Sequence, residues 1–502
     1  MTDARKAGQP LTTEQLEHGA REHLWPHFTR TSLYDGGSIP IITKAEGKYI
    51  WDQHGNKLFD GLSGLFSVNA GHGHERLAEA AKKQLMQMDF VPLWSFAHPP
   101  AIELGERLLS YAPNGLERVF FTTGGGEANE TAWKLAKQYF KLIGKPMKHK
   151  VLTRKTAYHG TSHGALSLTG IPNMKKAFEP LVPSTFRVPN TNWYRAKDDF
   201  ANEEEFGLWA ANRVEEMIIM EDPDTVAAFF LEPVQNSGGA YTSHKSYFKR
   251  VREICDKYDV ILVADETIDG FGRTGTMFAS EKYEFEPDML VCAKAITNSV
   301  MPLGALMIKE KFYEPFTKGT TIFPHGYTFA ASPAACAVAI ENLDLYEDLD
   351  LINHVQANES GFKKTLDERT EAIEGRLAAA ERAQAEVAEK TAEIEKAQES
   401  SRAEAAEIRE QARAEGVAIL AELKEQANLE AARITATAKA QIEAERQAAL
   451  VSLRAEVGTL AIDLASQVVG ASLKNDKVAT GVVDSFLAEL ESSEKASKGK
   501  GK

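Results

Sequence analysis

The chain has 502 residues, 43% of them apolar, which is enough for more than one domain with a large core. Its formal net charge of −14, with no compensating block of Lys and Arg, argues against a protein that binds nucleic acid. Three cysteines without a CxxC pair indicate a reducing, cytoplasmic compartment and no disulfide framework.

The N-terminal segment shows no apolar stretch typical of a signal peptide. No run of about 18 apolar residues occurs, so no membrane span is expected. Residues 1 to about 365 then show short apolar runs that are separated by helical patterns.

The predicted strands are residues 118–122, 150–154, 226–232, 260–265 and 289–293. Most of them are continuously apolar, which is typical of strands covered on both faces. Helical patterns lie between them, including residues 127–141 and 247–258. This alternation predicts an α/β fold with a mainly parallel sheet.

The composition changes at about residue 369. From there on the chain has no Pro, Trp, Tyr, Cys, Met or His, and Ala, Glu, Lys, Arg and Gln dominate, as in a long helix or coiled coil. Aliphatic residues recur at intervals of eleven, for example Ile408 and Ile419, and this period favours a right-handed supercoil. A partner helix is therefore expected, and a single solvated helix is the alternative.

Two charged side chains lie at the ends of predicted strands in the first region. Asp265 ends the strand 260–265, and Lys294 follows the strand 289–293. A lysine that can bind an aldehyde covalently and an aspartate that can keep a pyridine nitrogen protonated are typical of enzymes that use pyridoxal 5'-phosphate (PLP). The lysine amine can then carry a proton between carbon centres. A capping aspartate and a lysine that reaches solvent at a sheet edge are the structural alternatives.

Other residues near the predicted strand ends fit the same cofactor. Gly124-Gly-Gly precedes a predicted helix, and free amides at a helix N-terminus bind phosphate, although such a run also forms ordinary loops. Tyr158 could stack on a ring or belong to a core. Glu232 places a carboxylate at the sheet edge where ligands bind in open α/β sheets. Thr328 supplies a loop hydroxyl that could meet a phosphate.

Residues 12 to 366 resemble the class III aminotransferases, a family of fold type I that includes ω-amino acid and amine:pyruvate transaminases. The resemblance rests on residues 62–73, 124–129, 158–160, 231–235, 265–275, 293–294, 302–305 and 325–329. It implies ping-pong amino transfer from an amine or amino acid to a keto acid such as pyruvate.

The resemblance assigns residues around the ring of the cofactor. It implies Lys294 as the Schiff-base lysine, Asp265 at the ring nitrogen and Tyr158 on the ring face. Glu232 is placed near the hydroxyl side of the cofactor. Thr267 stands where the family usually has a Val that packs on the second face of the ring.

The resemblance also implies contacts beyond the ring. Gly125 and Gly126 are assigned to the phosphate, and Thr328 to the phosphate of the neighbouring subunit in a homodimer. Phe66 and Trp94 are candidate walls of the substrate pocket.

From residue 366 the sequence resembles the soluble stalk of ATP synthase subunit b, whose helix pairs with a second b helix and docks the δ subunit. The small C-terminal domain expected of the aminotransferase is absent, as is the membrane helix expected of subunit b. We therefore predict a chimera with its junction within residues 363–370. The alternatives are a stator-like coiled coil with an inert head, and a chain whose parts have no joint function.

The predicted fold is a fold-type I PLP-transferase large domain followed by a coiled-coil stalk. Its predicted segments are an N-terminal part of the small lobe (1–60), the PLP-binding large domain (61–345), a helical seam (346–368), a long helix or coiled coil (369–470), and a C-terminal helix with a disordered Lys/Gly tail (471–502).

Overall fold

A computed structural model describes residues 10–34 and 39–468, together with the isolated positions 481, 484, 485 and 488. The chain divides into two compact units, Met1–Arg369 and Thr370–Lys502. The helix and tail predicted for residues 471–502 therefore lie outside the described residues, except at those isolated positions.

Ten strands are described. They are β1 Ile42–Glu46, β2 Tyr49–Asp52, β3 Lys57–Phe59, β4 Arg118–Thr122, β5 Lys150–Arg154, β6 Thr185–Val188, β7 Val226–Leu231, β8 Ile261–Asp265, β9 Met289–Cys292 and β10 Gly304–Ile308.

Helices connect and follow these strands. They are α1 Thr13–His23, α2 Ser63–Phe66, α3 Glu75–Gln87, α4 Pro99–Tyr111, α5 Gly125–Leu142, α6 His163–Leu168, α7 Pro172–Lys175, α8 Trp193–Ala196, α9 Glu203–Met220, α10 Asn236–Gly239, α11 Lys245–Lys257, α12 Ala279–Lys282, α13 Glu310–Tyr313, α14 Pro333–Asp348 and α15 Leu351–Val468. Short 3₁₀ turns occupy Thr31–Tyr34, Lys294–Thr297 and Glu314–Thr317.

The main sheet has seven strands in the order β4-β10-β9-β8-β7-β5-β6. The strands β9, β8, β7, β5 and β6 run parallel, and β10 is antiparallel to both of its neighbours, β4 and β9. The prediction of a mainly parallel sheet is confirmed, with β10 making it a mixed sheet. Strands β1, β2 and β3 form a separate antiparallel sheet.

Side chains of the main sheet alternate between two hydrophobic cores. On β7, Phe229 packs in the core that includes α9 and α11, and the next residue, Phe230, packs in the core that includes α5. Every residue of β7 is buried, since helices cover both faces of the sheet. The carboxyl ends of β7, β8 and β9 consequently meet at one edge, where parallel sheets bind ligands.

The five predicted strands are found within one residue of their predicted ends. The predictions omitted β6, β10 and the small sheet. Strand β10 begins with Gly304, where a side chain would clash, since a Cβ atom there would lie 2.7 Å from the backbone oxygen of Gly124. A glycine lowers the strand signal in the sequence although close backbone approach requires it here.

The final helix, α15, has 118 residues. Its composition explains the helix, since Ala, Glu, Lys, Arg and Gln have high helix propensity and Pro is absent. Every side chain from residue 356 to residue 457 is exposed. Within the described part of the chain, no helix combines the length and apolar character needed to cross a membrane.

Candidate active site

A cavity of about 550 Å³ lies at the carboxyl ends of β7, β8 and β9. The structure brings together in its wall most of the residues predicted from the sequence. These are Gly125, Gly126, Tyr158, Glu232, Asp265, Thr267 and Lys294.

Asp265 is the last residue of β8, and its carboxylate is buried and fully hydrogen-bonded. One oxygen, Oδ2, accepts from Asn129 Nδ2 at 2.7 Å and from His159 Nδ1 at 2.8 Å. The other, Oδ1, accepts from the hydroxyl of Thr267 at 2.6 Å and from its backbone N–H at 3.1 Å. These four bonds fix the orientation of the carboxylate.

The same contacts keep Asp265 ionised. Burial acts to raise the pKa of Asp265, but His159, Thr267 and Asn129 outweigh it, and the net pKa lies below the ordinary value of an aspartate. A buried carboxylate that stays negative at neutral pH can hold a pyridine nitrogen in its protonated form.

Thr267 has a structural reason to differ from the Val that the resemblance leads one to expect. Its hydroxyl donates to Asp265, which a Val could not do. The Thr267 side chain also approaches Gly125 so closely that a Cβ atom on Gly125 would lie 2.6 Å from it. Glycine is therefore required at position 125 for steric reasons.

Lys294 follows β9 and opens a 3₁₀ turn, with its own backbone in the left-handed region at φ 50°. A non-glycine residue there is strained by about 1–3 kcal/mol, and such strain is concentrated at functional sites. The Lys294 Nζ atom lies 5.6 Å from the ring centroid of Phe66. Burial lowers the pKa of Lys294, which increases the share of neutral, nucleophilic amine.

The candidate phosphate site is the N-terminus of α5. The helix begins at Gly125 after an extended Gly124, and no side chain caps it. Gly160 packs against this turn, since a Cβ atom on it would lie 2.7 Å from the Cα of Gly126. The uncapped amides at the N-terminus, open to the cavity, suit a phosphate group.

Tyr158 and Glu232 are neighbours in the cavity wall. The backbone N–H of Tyr158 donates to Glu232 Oε1 at 3.3 Å, and the Tyr158 ring is partly buried in the cavity wall. Burial raises the pKa of Tyr158, with a further contribution from Asp265. The Tyr158 side chain is therefore a neutral aromatic surface at physiological pH.

Three predicted residues, Thr328, Trp94 and Phe66, are not part of this cavity wall. Thr328 is exposed, and the indole of Trp94 is 62% exposed beside Gly326. Phe66 is close to the cavity through its contact with Lys294, and its neighbour Leu65 lines the cavity directly. All four residues of α2, from Ser63 to Phe66, have left-handed backbone angles, which shape this part of the wall.

Three residues at the site were not assigned a role from the sequence. Asn129 and His159 orient Asp265, and Asp269 lines the cavity. All three lie within segments that carry the family resemblance, residues 124–129, 158–160 and 265–275, so their positions offered a signal. Their contacts depend on the packing of separate elements, which the sequence pattern does not encode.

The residues present fit PLP, with a fixed carboxylate, a lysine of lowered pKa and a phosphate-binding helix N-terminus in one cavity. The sequence profile described as "Aminotransferase class-III" matches residues 35–422. The chain belongs to the class III aminotransferase family. It is therefore a PLP-dependent aminotransferase, and the matched region includes the first part of the long helix.

Relatives and solved structures agree with this family. The chain is 52% identical over 358 residues to a probable aminotransferase of Mycobacterium tuberculosis, covering 71% of this chain and 76% of that protein. An (S)-enantioselective ω-transaminase of Thermomicrobium roseum is 37% identical with a TM-score of 0.67, covering 70% and 78% of the two chains.

A further structure bears on the cofactor. The ω-transaminase of Pseudomonas jessenii in complex with PMP is 34% identical with a TM-score of 0.65, covering 68% of this chain and 76% of that chain.

Proposed function

We propose that this aminotransferase transfers an amino group from an amine or ω-amino acid to a keto acid such as pyruvate, using Lys294 and Asp265 as its catalytic residues. The observation that carries the proposal is the buried, four-fold hydrogen-bonded Asp265 carboxylate in the same cavity as Lys294. PLP, when bound, supplies an electron sink for the carbon next to the transferred nitrogen.

The protein residues orient the cofactor and move protons. With PLP bound, Asp265 would hold the proton on the ring nitrogen, and the amides at Gly125 and Gly126 would bind the phosphate. Tyr158 and Thr267 would face the ring, and the free amine of Lys294 would carry the proton between carbon centres.

The first test is retention of PLP. The whole chain is incubated with PLP, desalted, reduced with borohydride and digested for peptide mass mapping. We expect a covalent adduct on Lys294 and none in Lys294→Ala. The control Lys249→Ala, which changes an exposed lysine, should retain PLP as the unchanged chain does. Soluble protein without PLP, or an adduct on another lysine, would contradict the proposal.

We also propose a homodimer in which Thr328 reaches the phosphate of the partner's cofactor. Large aromatic side chains lie on or beside the loop that carries Thr328 and are exposed in the single chain, which indicates a surface that a second copy covers. These are Phe90, Trp94 and Phe329. The rings of Phe90 and Phe329 pack against each other at 5.8 Å and would enter the interface together.

The proposed contact of Thr328 with the phosphate in the partner subunit can be tested by substitution. Loss of a hydrogen bond to a charged phosphate costs about 1.5–3 kcal/mol, so Thr328→Ala should weaken PLP binding about 10-fold or more. Thr320→Ala, an exposed threonine nearby in sequence, is the control. Sedimentation should show dimers. Monomers that bind PLP with full affinity would refute this arrangement.

For the second unit we propose pairing of the long helix with a second copy, as its likeness to the stalk of ATP synthase subunit b suggests. The fully exposed aliphatic residues at intervals of eleven support this proposal. A single cysteine introduced at Ala412 should give disulfide-linked dimers under oxidation. Monomers alone would favour a solvated single helix. A δ subunit as partner, a chimeric origin and a cytoplasmic location stay predictions.

A further inference from the structure

Asp269 is a buried carboxyl group of the cavity wall to which the family resemblance gives no role. It lies four residues after Asp265, in the segment that follows β8, and is 2% exposed. Its Oδ2 atom accepts a hydrogen bond from the backbone N–H of Val234 at 2.7 Å. Asp269 therefore links the segment after β8 to the segment after β7, which carries Glu232.

Glu232 supplies a second carboxyl group in the same wall, and one of its oxygens is unsatisfied. Its Oε1 atom receives the long 3.3 Å bond from Tyr158. Among the described residues, its Oε2 atom is buried and has no hydrogen-bond partner. A buried polar atom without a partner is destabilising, so a ligand that donates a hydrogen bond here would be stabilised.

The buried cation nearby does not satisfy these carboxyl groups. The guanidinium of Arg154 donates to the backbone oxygen of Glu232 and to the hydroxyl of Thr191, not to either carboxylate. Burial raises the pKa of Glu232 and of Asp269 well above ordinary values, although Arg154 opposes the rise for both. Each group is consequently ready to lose a proton when a further cation enters.

We propose that Asp269 and Glu232 form a subsite for a second ammonium group of the amine donor, so that the enzyme prefers diamines. The proposal rests on the transaminase function given above. An ammonium group has three N–H donors and a positive charge, which match an unpaired carboxyl oxygen in the same cavity wall as a second carboxyl group that interacts with it electrostatically. Neither an alkyl tail nor the carboxylate of an ω-amino acid offers an N–H donor or a positive charge.

The kinetic test compares 1,4-diaminobutane, butylamine and 4-aminobutanoate as donors to pyruvate. We expect kcat/KM for the diamine to exceed that for butylamine about 10-fold or more. Asp269→Asn keeps the size of the side chain and its acceptor for Val234. It should remove most of this preference and leave the value for butylamine nearly unchanged. Asp198→Asn removes an exposed carboxylate and is the control.

A binding measurement gives an independent readout. Calorimetric titration of the diamine into the Lys294→Ala chain, with and without PLP, is repeated in buffers of different ionisation enthalpy. A bound ammonium lowers the pKa of the two carboxyl groups, so protons should be released to the buffer. Proton release should be smaller in the Lys294→Ala chain that also carries Asp269→Asn. Butylamine should cause little proton release.

The outcomes separate the two proposals. Transamination of all three donors without a diamine preference, or a preference that Asp269→Asn leaves intact, would overturn the subsite and leave the function standing. Failure of every donor together with loss of PLP would overturn the function. In that case the calorimetric titration tests the subsite. No proton release, or a release that Asp269→Asn does not change, would refute it.

Discussion

The two units of the chain are stabilised by different kinds of interaction. In the first unit, β7, β8, β9 and β10 are completely buried between helices, and burial of one large aliphatic or aromatic side chain contributes about 1.5–3 kcal/mol. In the second unit, the side chains of residues 370–457 are exposed, so the helix depends on intrinsic propensity and on neighbouring pairs within itself. The first unit is thus specified by distant contacts and the second by local composition.

The largest expected difference between the units concerns a buried lysine. Lys148 is 2% exposed, and its ammonium group donates to the backbone oxygens of Pro223, Val226, Tyr258 and Asp259 at 2.9–3.0 Å. Lys148→Met leaves these oxygens without their donor, and we expect the free energy of unfolding to fall by about 3–5 kcal/mol.

Denaturant unfolding checks this prediction, followed by tryptophan fluorescence for the first unit and by circular dichroism for the long helix, whose second-unit part has no tryptophan. The matched change Lys396→Met in the exposed helix should alter stability by at most about 0.5 kcal/mol. Equal effects of the two substitutions would remove the contrast between the units.

A smaller effect concerns pH. Glu266 is fully buried and accepts from the backbone N–H groups of Ala279 and Ser280, and burial raises its pKa to about 7. The folded state thus binds the proton more tightly than the unfolded state does. The contribution of Glu266 to the free energy of unfolding is complete below about pH 4.5 and is lost as the pH rises through about 7. This contribution amounts to up to about 3 kcal/mol.

This pH dependence is measured as the free energy of unfolding at several pH values. Glu266→Gln should flatten the decline, whereas Glu415→Gln in the exposed helix should not. An unchanged slope in Glu266→Gln would assign the decline to other groups.

The smallest effect is expected in the long helix. Arg433 donates to Glu430 through Nε at 2.9 Å and Nη2 at 2.7 Å, one turn apart on an exposed surface. Arg433→Gln should lower helix stability by only about 0.2–0.5 kcal/mol, and less in high salt. Thermal melting followed by circular dichroism measures this loss.

The control for this pair is Arg413→Gln in the same helix, where the described residues show no ion pair. A loss of stability above about 1.5 kcal/mol for Arg433→Gln would mean that this surface packs against a partner. The second unit would then also depend on contacts beyond its local composition, as the first unit does.

The sequence predicted most of the central sheet because its strands carry strong local signals. Continuous apolar runs located five strands within one residue, and a change in composition located the long helix. Strand β10 was not predicted, because its first residue is a glycine that the neighbouring turn requires. The sequence predicted that Lys294 and Asp265 lie at one site because their side-chain chemistry and their positions at strand ends are both visible in it, and the structure places both in one cavity.

By itself, then, the sequence determined five strands of the main sheet, the candidate chemistry of the site and the change between the two regions, since these depend on local pattern and residue type. Only the tertiary structure decided which groups meet. It brought His159 and Asn129 to Asp265, left one oxygen of Glu232 unpaired, placed Asp269 in the same cavity wall, and surrounded Lys148 with four carbonyl groups. These contacts join residues from separate strands and helices, so they follow from strand order and packing, which no local pattern records.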